Sequence, residues 1–128
     1  MSRKAITDAP GVPAGIGPYS QAVRCGDTVY LSGQIGLNPE SMQLEDGIEA
    51  QVNRVFNSLQ QVIEAAGARL EEVVKLNIYL TDLGHFGLVN QKMEACFSAP
   101  YPARATLQVA ALPKGALVEV DAILMLDS

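Results

Sequence analysis

The sequence has few of the side chains on which zinc enzymes and histidine-dependent nucleases rely. It contains one histidine, His85, and two cysteines, Cys25 and Cys96, which are distant from each other. Neither cysteine stands in a Cys-x-x-Cys or Cys/His spacing that would hold zinc, so both are expected to be reduced and unpaired. His85 lies at the start of a helical pattern, where we expect a surface or capping role rather than catalysis. No metal site is predicted.

Clusters of positive charge and long apolar runs are also missing. The 14 acidic residues outnumber the 9 basic ones, and the formal net charge of -5 is spread without a basic block. Proteins that bind a phosphate backbone do so with clustered Lys and Arg, so nucleic-acid binding is not favoured. The amino terminus lacks the apolar run of a signal peptide, and no stretch reaches transmembrane length. These features predict a soluble, cytoplasmic protein without a membrane partner.

The length suits one domain. With 128 residues, 48% of them hydrophobic, the chain is expected to bury roughly two-thirds of its unfolded surface around one core. No internal repeat, linker or low-complexity tract divides it. We therefore predict a single domain over residues 1–128.

Loop, helix and strand patterns follow one another along the chain. The density of proline and glycine at residues 9–18 predicts a loop that acts as a tether or a pocket wall. Apolar residues at helical spacing begin at Ile48 and stop at Gly67, and a second helical pattern opens at Asp82 and ends before Pro100. Alternating or continuously apolar segments predict strands at residues 20–25, 28–32, 74–80, 103–109 and 117–126.

This order of elements predicts an α+β fold, with one mixed β-sheet and two helices packed on one face. The last predicted strand, residues 117–126, is apolar on both sides apart from Glu119 and Asp121. The sheet face that the helices leave uncovered is therefore expected to be buried as well. Self-association would bury it, and we predict a homo-oligomer on this ground.

Two charged residues near the end of the chain suggest chemistry on a small organic acid. Arg104 lies on the polar side of an alternating strand, and Glu119 marks a polar position of the last strand. An arginine binds a planar carboxylate through two parallel hydrogen bonds, and a glutamate within reach of a water takes or gives a proton. The Pro- and Gly-containing residues 110–116 favour a hairpin of open register. Such a hairpin would bring Arg104 and Glu119 together.

A structural interpretation of the same pair is the alternative. Arg104 and Glu119 would then form a cross-strand salt bridge, which stabilises a fold by only about 0–1 kcal/mol when it is exposed. The pattern alone favours this interpretation, because paired charges at strand ends are often only structural.

Several short segments, in a fixed order, carry more specific information. Together they resemble the reactive-intermediate deaminases, known as the RidA or YjgF family, over nearly the whole chain. The segments are residues 17–22 (Gly-Pro-Tyr-Ser-Gln-Ala), 32–35 (Ser-Gly-Gln-Ile), 65–67 (Ala-Ala-Gly), 74–77 (Val-Lys-Leu-Asn), 89–90 (Val-Asn), 101–104 (Tyr-Pro-Ala-Arg) and 112–120 (Leu-Pro-Lys-Gly-Ala-Leu-Val-Glu-Val).

The resemblance implies a chorismate-mutase-like fold assembled as a homotrimer with clefts between subunits. It also implies an enzyme, a hydrolase of C=N bonds, which converts enamines and imines such as 2-aminoacrylate to 2-keto acids and ammonia. The partners would be small 2-imino acids, no cofactor would be required, and the role would be metabolite damage control.

The resemblance also assigns roles to the charged pair and to one aromatic residue. Arg104 matches the arginine that binds the substrate carboxylate, and Glu119 matches the glutamate that positions or activates water. Tyr19 matches a tyrosine at the cleft mouth. The alternative for Tyr19 is a turn residue, after Gly17 and Pro18, that packs at the subunit interface.

Further substrate-binding residues follow from the same resemblance. Ser32 and Gly33 match a strand end that a ligand approaches closely, although glycine there equally marks a bulge. Asn90 matches a helix asparagine near the cleft, although such a residue often bonds a neighbouring loop. Thr106 stands where some relatives have cysteine, so no thiol is available here, while its backbone carbonyl still accepts a hydrogen bond.

Two other functions remain open from sequence alone. A binding protein would hold a carboxylate metabolite with the same arginine and not turn it over. The endoribonuclease or translation-inhibitor activity named for the family is the third interpretation, and the acidic charge and the lack of a histidine pair weigh against it.

Overall fold

Six strands and two helices make up the computed structural model, which describes residues 3–15 and 17–127. Across the sheet the strand order is β1-β2-β3-β6-β4-β5, with β4 and β5 parallel and every other neighbouring pair antiparallel. The prediction of an α+β fold with a mixed sheet is confirmed. The strands are β1 (Arg3–Ile6), β2 (Ala22–Cys25), β3 (Thr28–Ile35), β4 (Val73–Leu80), β5 (Ala103–Gln108) and β6 (Val118–Met125), and the helices are α1 (Ile48–Ala65) and α2 (Phe86–Cys96).

Helix α1 has apolar residues at helical spacing on one side and packs that side onto the sheet. Gly67 follows the helix with φ of 76°, a left-handed backbone that glycine adopts without strain. At Gly36, the chain leaving β3 passes so near α1 that a Cβ there would lie 2.8 Å from the Cα of Gln51. Only glycine therefore permits this separation. The buried apolar residues of α1 are Val52, Val55, Phe56, Leu59, Val62 and Ile63.

The two faces of the sheet differ in exposure because side chains alternate along each strand. In β6 the residues facing α1 and α2 are fully buried, while the intervening ones are partly or largely exposed. We call the side away from the helices the open face. It carries exposed large side chains at Tyr30, Leu107 and Met125. The side chains that β6 buries toward the helices are Val118, Val120, Ala122 and Leu124.

The prediction of a hairpin between the last two strands is wrong, because β5 and β6 do not pair with each other. Strand β4 lies between β5 and β6, and β5 runs parallel to β4 at the edge of the sheet. The crossover from β4 through α2 returns the chain parallel to β4, as a helical connection does. The remaining edge of β4 is then taken by β6, whose nearly continuous apolar sequence suits a central strand, whereas the more polar β5 suits an edge.

Two of the boundaries that differ from the predicted ones have local causes. Strand β3 continues past residue 32 to Ile35, with an irregular register against β6 between Leu31 and Gln34. Asp82 does begin a helical segment, because its side chain accepts a hydrogen bond from the Gly84 backbone N–H at 2.8 Å. That segment is a single 3₁₀ turn, and α2 proper begins only at Phe86.

No helix within residues 3–15 and 17–127 is both long and apolar enough to cross a membrane. Both cysteines are free thiols, as predicted, with Cys25 exposed and Cys96 partly buried.

The end of the chain is fastened to the turn before β4 by one buried carboxylate. Glu72 Oε2 accepts a hydrogen bond from the Asp127 backbone N–H at 2.7 Å, and Oε1 accepts one from the Arg69 backbone N–H at 2.8 Å. The pKa of Glu72 is lowered from its ordinary value of 4.5, and the hydrogen bond from Asp127 is the largest cause. The hydrogen bond from Arg69 and the Arg69 charge lower the pKa further, and together these effects outweigh burial, which raises it. The charged form of Glu72 therefore stabilises the fold.

Replacing Glu72 with Gln is expected to lower the free energy of unfolding at neutral pH. A lowered folded-state pKa adds stability above the unfolded-state pKa, and that contribution is lost as the pH falls through the folded-state pKa. Urea unfolding between pH 7 and pH 3 should therefore show a steeper loss of stability for the wild type than for Glu72→Gln. Glu71→Gln, at an exposed neighbouring side chain, is the control. Equal pH dependence of wild type and Glu72→Gln would contradict this role.

Candidate active site

Glu119 lies on β6 at the open face, in a hollow of about 300 Å³ that we call the Glu119 pocket. The irregularity in β3 places Gly33 directly beneath the carboxylate. A Cβ on Gly33 would lie 2.4 Å from Glu119 Oε2, so the carboxylate occupies the space that any other residue would fill. The pocket is lined by Pro13, Ala14, Tyr19, Gly33, Gln34, Ile35, Leu37, Pro113, Lys114 and Glu119.

The surroundings of Glu119 favour its protonated form. Burial raises the pKa of this carboxyl, and the negative charge of Asp121 raises it further. Asp121 is held in place by two neighbours on β4, since Asn77 Nδ2 donates to Oδ1 at 2.8 Å and the Tyr79 hydroxyl donates to Oδ2 at 3.1 Å. A carboxyl whose pKa lies above its ordinary range exchanges protons more readily near neutral pH.

Arg104 lies on the edge strand β5 and faces α2. Its Nη1 donates to Asn90 Oδ1, and its guanidinium lies 4.9 Å from the centroid of the Phe86 ring. These two contacts orient the planar group and leave its other N–H donors for a ligand. A second hollow of about 290 Å³, the Arg104 pocket, is lined by Asn90, Met93, Glu94, Tyr101, Pro102 and Arg104.

Arg104 and Glu119 do not meet within one chain. Arg104 is paired with Leu76 and Glu119 with Tyr79 on the intervening strand β4. Two strand spacings of about 4.8 Å and three residues of about 3.3 Å separate their Cα atoms by roughly 14 Å. The side chains also point to opposite faces, because Arg104 contacts α2 and Glu119 lies on the open face. The cross-strand salt bridge considered from sequence is therefore absent among the described residues.

The other predicted site residues lie in the Glu119 pocket, beside Arg104, or outside both pockets. Tyr19 lines the Glu119 pocket with about half of its surface exposed, and Asn90 orients Arg104. Ser32 lines neither pocket, and its hydroxyl donates to the Ser20 carbonyl at 2.6 Å. Thr106 lies on β5, two residues beyond Arg104, with a buried hydroxyl that has no hydrogen-bond partner among residues 3–15 and 17–127. His85 Nε2 lies 4.0 Å from Asp82 Oδ2 at the start of α2, away from both pockets.

Pro13 and Ala14 line the Glu119 pocket and belong to the Pro- and Gly-rich loop, which was predicted to be a tether or a pocket wall. The sequence singled out no individual residue of that loop. Lys114, which lines the same pocket with a left-handed backbone of φ 59°, was not predicted as a site residue. For Asp121, the sequence indicated only that it shares a strand face with Glu119, because the two lie two residues apart. Within the described ranges, no group of three or more His, Cys, Asp or Glu side chains is placed to hold a metal ion.

Comparisons with known proteins agree with one another. The family model described as Endoribonuclease L-PSP matches residues 9–126. The 2-iminobutanoate/2-iminopropanoate deaminase of Dermatophagoides farinae is 44% identical over 128 residues, which covers 99% of this chain and 100% of that protein.

Two solved structures superpose closely on this chain. The crystal structure of RidA from the Antarctic bacterium Psychrobacter sp. PAMC 21119 superposes with a TM-score of 0.92 at 50% identity, covering 96% of this chain and 99% of that one. The structure of E. coli TdcF with bound serine superposes with a TM-score of 0.89 at 30% identity, covering 97% of this chain and 100% of that one.

Proposed function

Because this chain belongs to the Endoribonuclease L-PSP family, which includes RidA, we propose that it hydrolyses small 2-imino acids and their enamine tautomers to 2-keto acids and ammonia. Relatives named 2-iminobutanoate/2-iminopropanoate deaminase support this activity, a hydrolysis of C=N bonds. Its role is metabolite damage control in the cytoplasm. A nucleic-acid substrate is not part of the proposal, given the net charge of -5.

One observation carries the proposal for the site, namely two complementary half-sites on opposite faces of the sheet. The Arg104 pocket offers a guanidinium for a carboxylate, and the Glu119 pocket offers a proton acceptor. Neither half-site can act alone on a small imino acid, because one substrate must reach both groups. A neighbouring copy therefore supplies the second half. Exposed Tyr30, Leu107 and Met125 on the open face support such an assembly.

The assembly we propose is a homotrimer with three equivalent clefts. A closed ring of three copies uses one heterologous contact repeated by rotation. Each such contact would place the Arg104 pocket of one subunit against the Glu119 pocket of the next. The chorismate-mutase-like arrangement, in which the open faces turn inward, would bury the apolar side chains of that face.

The proposed reaction begins with the substrate carboxylate bound by the Arg104 guanidinium through parallel hydrogen bonds. An enamine first tautomerises to the imine. A water held by Glu119 then attacks the imine carbon, and Glu119 takes the water proton and passes it to the imine nitrogen. In the resulting carbinolamine the hydroxyl proton is transferred through Glu119 to the amine nitrogen, and the C–N bond breaks as the C=O bond forms, so that the nitrogen leaves as ammonia. Water and imine thus give a 2-keto acid and ammonia.

Tyr19, Gly33, Asn90, Ser32 and Thr106 complete the proposed substrate contacts. Tyr19 closes the mouth of the Glu119 pocket, and Gly33 exposes its backbone beside the carboxylate. Asn90 keeps the guanidinium in one plane. In this scheme Ser32 acts through its backbone carbonyl, because its hydroxyl and its N–H are already bonded, and Thr106 acts through its carbonyl on the edge strand β5.

Deamination of imines generated in situ tests the proposal. An amino-acid oxidase would supply the imine, and its decay would be followed with catalytic amounts of this protein. Acceleration by the wild type supports the function. No acceleration with imines of several amino acids, from an intact oligomer, would contradict it. It would then favour a binding protein, a function that the bound serine in E. coli TdcF makes the second candidate.

Gly33→Ala is expected to lower kcat/KM by roughly tenfold or more with little change in stability. The added methyl would occupy the position of Glu119 Oε2, and the flexible carboxylate would move away rather than the backbone. Steady-state kinetics and thermal unfolding of the variant would check both parts. Gly87→Ala, where a Cβ meets nothing within 4 Å, is the matched control. Full activity of Gly33→Ala would show that the carboxylate position is not critical.

A further inference from the structure

One wall of the Glu119 pocket comes from a segment without regular secondary structure. Pro13 and Ala14 line the pocket, and they lie between the end of β1 at Ile6 and the start of β2 at Ala22. No helix or strand fixes residues 9–15. Their position is fixed instead by the packing of Ala9 and Val12 in the hydrophobic core and by hydrogen bonds to the rest of the fold.

The side chain of Gln21 makes those hydrogen bonds. It is buried, with 3% of its surface exposed. Its Oε1 accepts a hydrogen bond from the Ala9 backbone N–H at 2.9 Å, and its Nε2 donates to the Pro13 carbonyl at 3.2 Å. Among the described residues, no other hydrogen bond joins residues 9–15 to the rest of the fold.

The backbone of Gln21 is itself held on both sides. Its N–H donates to the Ile6 carbonyl at 2.8 Å, and its carbonyl accepts from the Ser32 N–H at 2.9 Å. Ser32 precedes Gly33, over which the Glu119 carboxylate lies. One residue thus connects the strand segment beneath the carboxylate to the loop that forms the opposite wall.

We propose that Gln21 is a positioning residue that sets the distance between the loop wall at residues 9–15 and the Glu119 carboxylate. This role rests on the proposed function. A primary amide is the side chain that fits, because it presents one acceptor and one donor to two backbone groups of opposite kind. If either bond is lost, a buried peptide group has no partner, and the loop moves outward to water.

Gln21→Glu tests this role, because its carboxyl reproduces the donor only when protonated. At a pH above the pKa of the introduced carboxyl, the carboxylate cannot donate to the Pro13 carbonyl, and its buried charge favours an open loop. At pH 7.5 we expect the protection of the Ala9 amide against hydrogen exchange to fall by roughly tenfold. We expect KM for an imine to rise by roughly tenfold with kcat within about twofold, since a pocket wall contributes binding common to substrate and transition state.

Acidification distinguishes this role from a general loss of structure. At pH 5.5 the Ala9 protection and the KM of Gln21→Glu should both return toward the wild-type values. Gln21→Met should stay impaired in both quantities at pH 7.5 and at pH 5.5. Gln51→Glu is the matched control, because Gln51 is also buried and its side chain also bonds two backbone groups, the Leu117 N–H and the Glu45 carbonyl. It should leave the protection of Ala9 unchanged in the folded protein.

The outcomes separate the two proposals. Unchanged Ala9 protection in Gln21→Glu and Gln21→Met would overturn the role of Gln21. Lost protection with unchanged KM would also overturn it, because the loop would then not shape the pocket. Failure of the wild type to deaminate imines would instead contradict the proposed function, and the exchange of Ala9 would still report the bond to Gln21.

Discussion

Glu119→Gln is expected to reduce kcat for imine hydrolysis by roughly 10²- to 10⁴-fold while the oligomer still binds carboxylate ligands. The amide has the shape of the carboxyl but cannot accept a proton from the attacking water. Arg104, the proposed carboxylate-binding residue, lies in a separate pocket, so ligand binding should be retained. Single-turnover kinetics and calorimetric titration with a 2-keto acid would measure the two effects separately. Unchanged kcat would remove Glu119 from the chemistry.

The raised pKa of Glu119 predicts how activity falls on the acid side of the pH profile. Burial first, and Asp121 second, raise the pKa of Glu119 above its ordinary value of 4.5. Glu119 must be deprotonated to accept a proton, so kcat/KM should rise with pH through a midpoint above that value. Asp121→Asn should move the midpoint to lower pH, because a neighbouring negative charge is removed. A midpoint that does not move in Asp121→Asn would contradict this electrostatic role.

Arg104→Ala is expected to lower kcat/KM by roughly 10²- to 10³-fold, in keeping with the roughly 2–5 kcal/mol that loss of one partner of a buried charge pair costs. The variant leaves the substrate carboxylate without its guanidinium, and α2 keeps its own packing. Arg104→Lys should recover only part of the loss, because an ammonium lacks the planar fork.

Arg24→Ala is the control for removing one arginine. Arg24 is exposed on β2, and its Nε donates to the Gly26 carbonyl away from both pockets. It should retain wild-type kinetics. Wild-type kcat/KM in Arg104→Ala, with the oligomer intact, would show that the substrate carboxylate is bound elsewhere.

Local patterns in the sequence were sufficient for most elements of the fold. The helical spacing from Ile48 and the stop at Gly67 predicted α1, and the alternation at residues 74–80 predicted β4. Each of these signals depends on residues close together in the chain. Such signals are read correctly because the buried side of a helix or strand repeats with a fixed period.

The pairing of strands could not be predicted in the same way. Nothing in residues 110–116 indicates that β6 pairs with β4 and not with β5, because both partners are chosen by contacts distant in sequence. The expected closeness of Arg104 and Glu119 failed for this reason. Residue chemistry suggested a joint role for the two, and the resemblance to RidA added the same assignment, but neither gave their separation within one chain. The sequence predicted that the loop at residues 9–18 is a tether or a pocket wall, but not which pocket it lines, because its position depends on contacts distant in sequence.

A complementation test with two inactive variants addresses the shared cleft most directly. Arg104→Ala and Glu119→Gln would be co-expressed, and the mixed oligomers would be assayed against each variant alone. If one subunit supplies Arg104 and the next supplies Glu119, random mixing in equal amounts restores about a quarter of the clefts, and thus about a quarter of wild-type activity. Activity no higher than that of the separate variants would place both residues of each site in the same subunit and contradict the shared cleft.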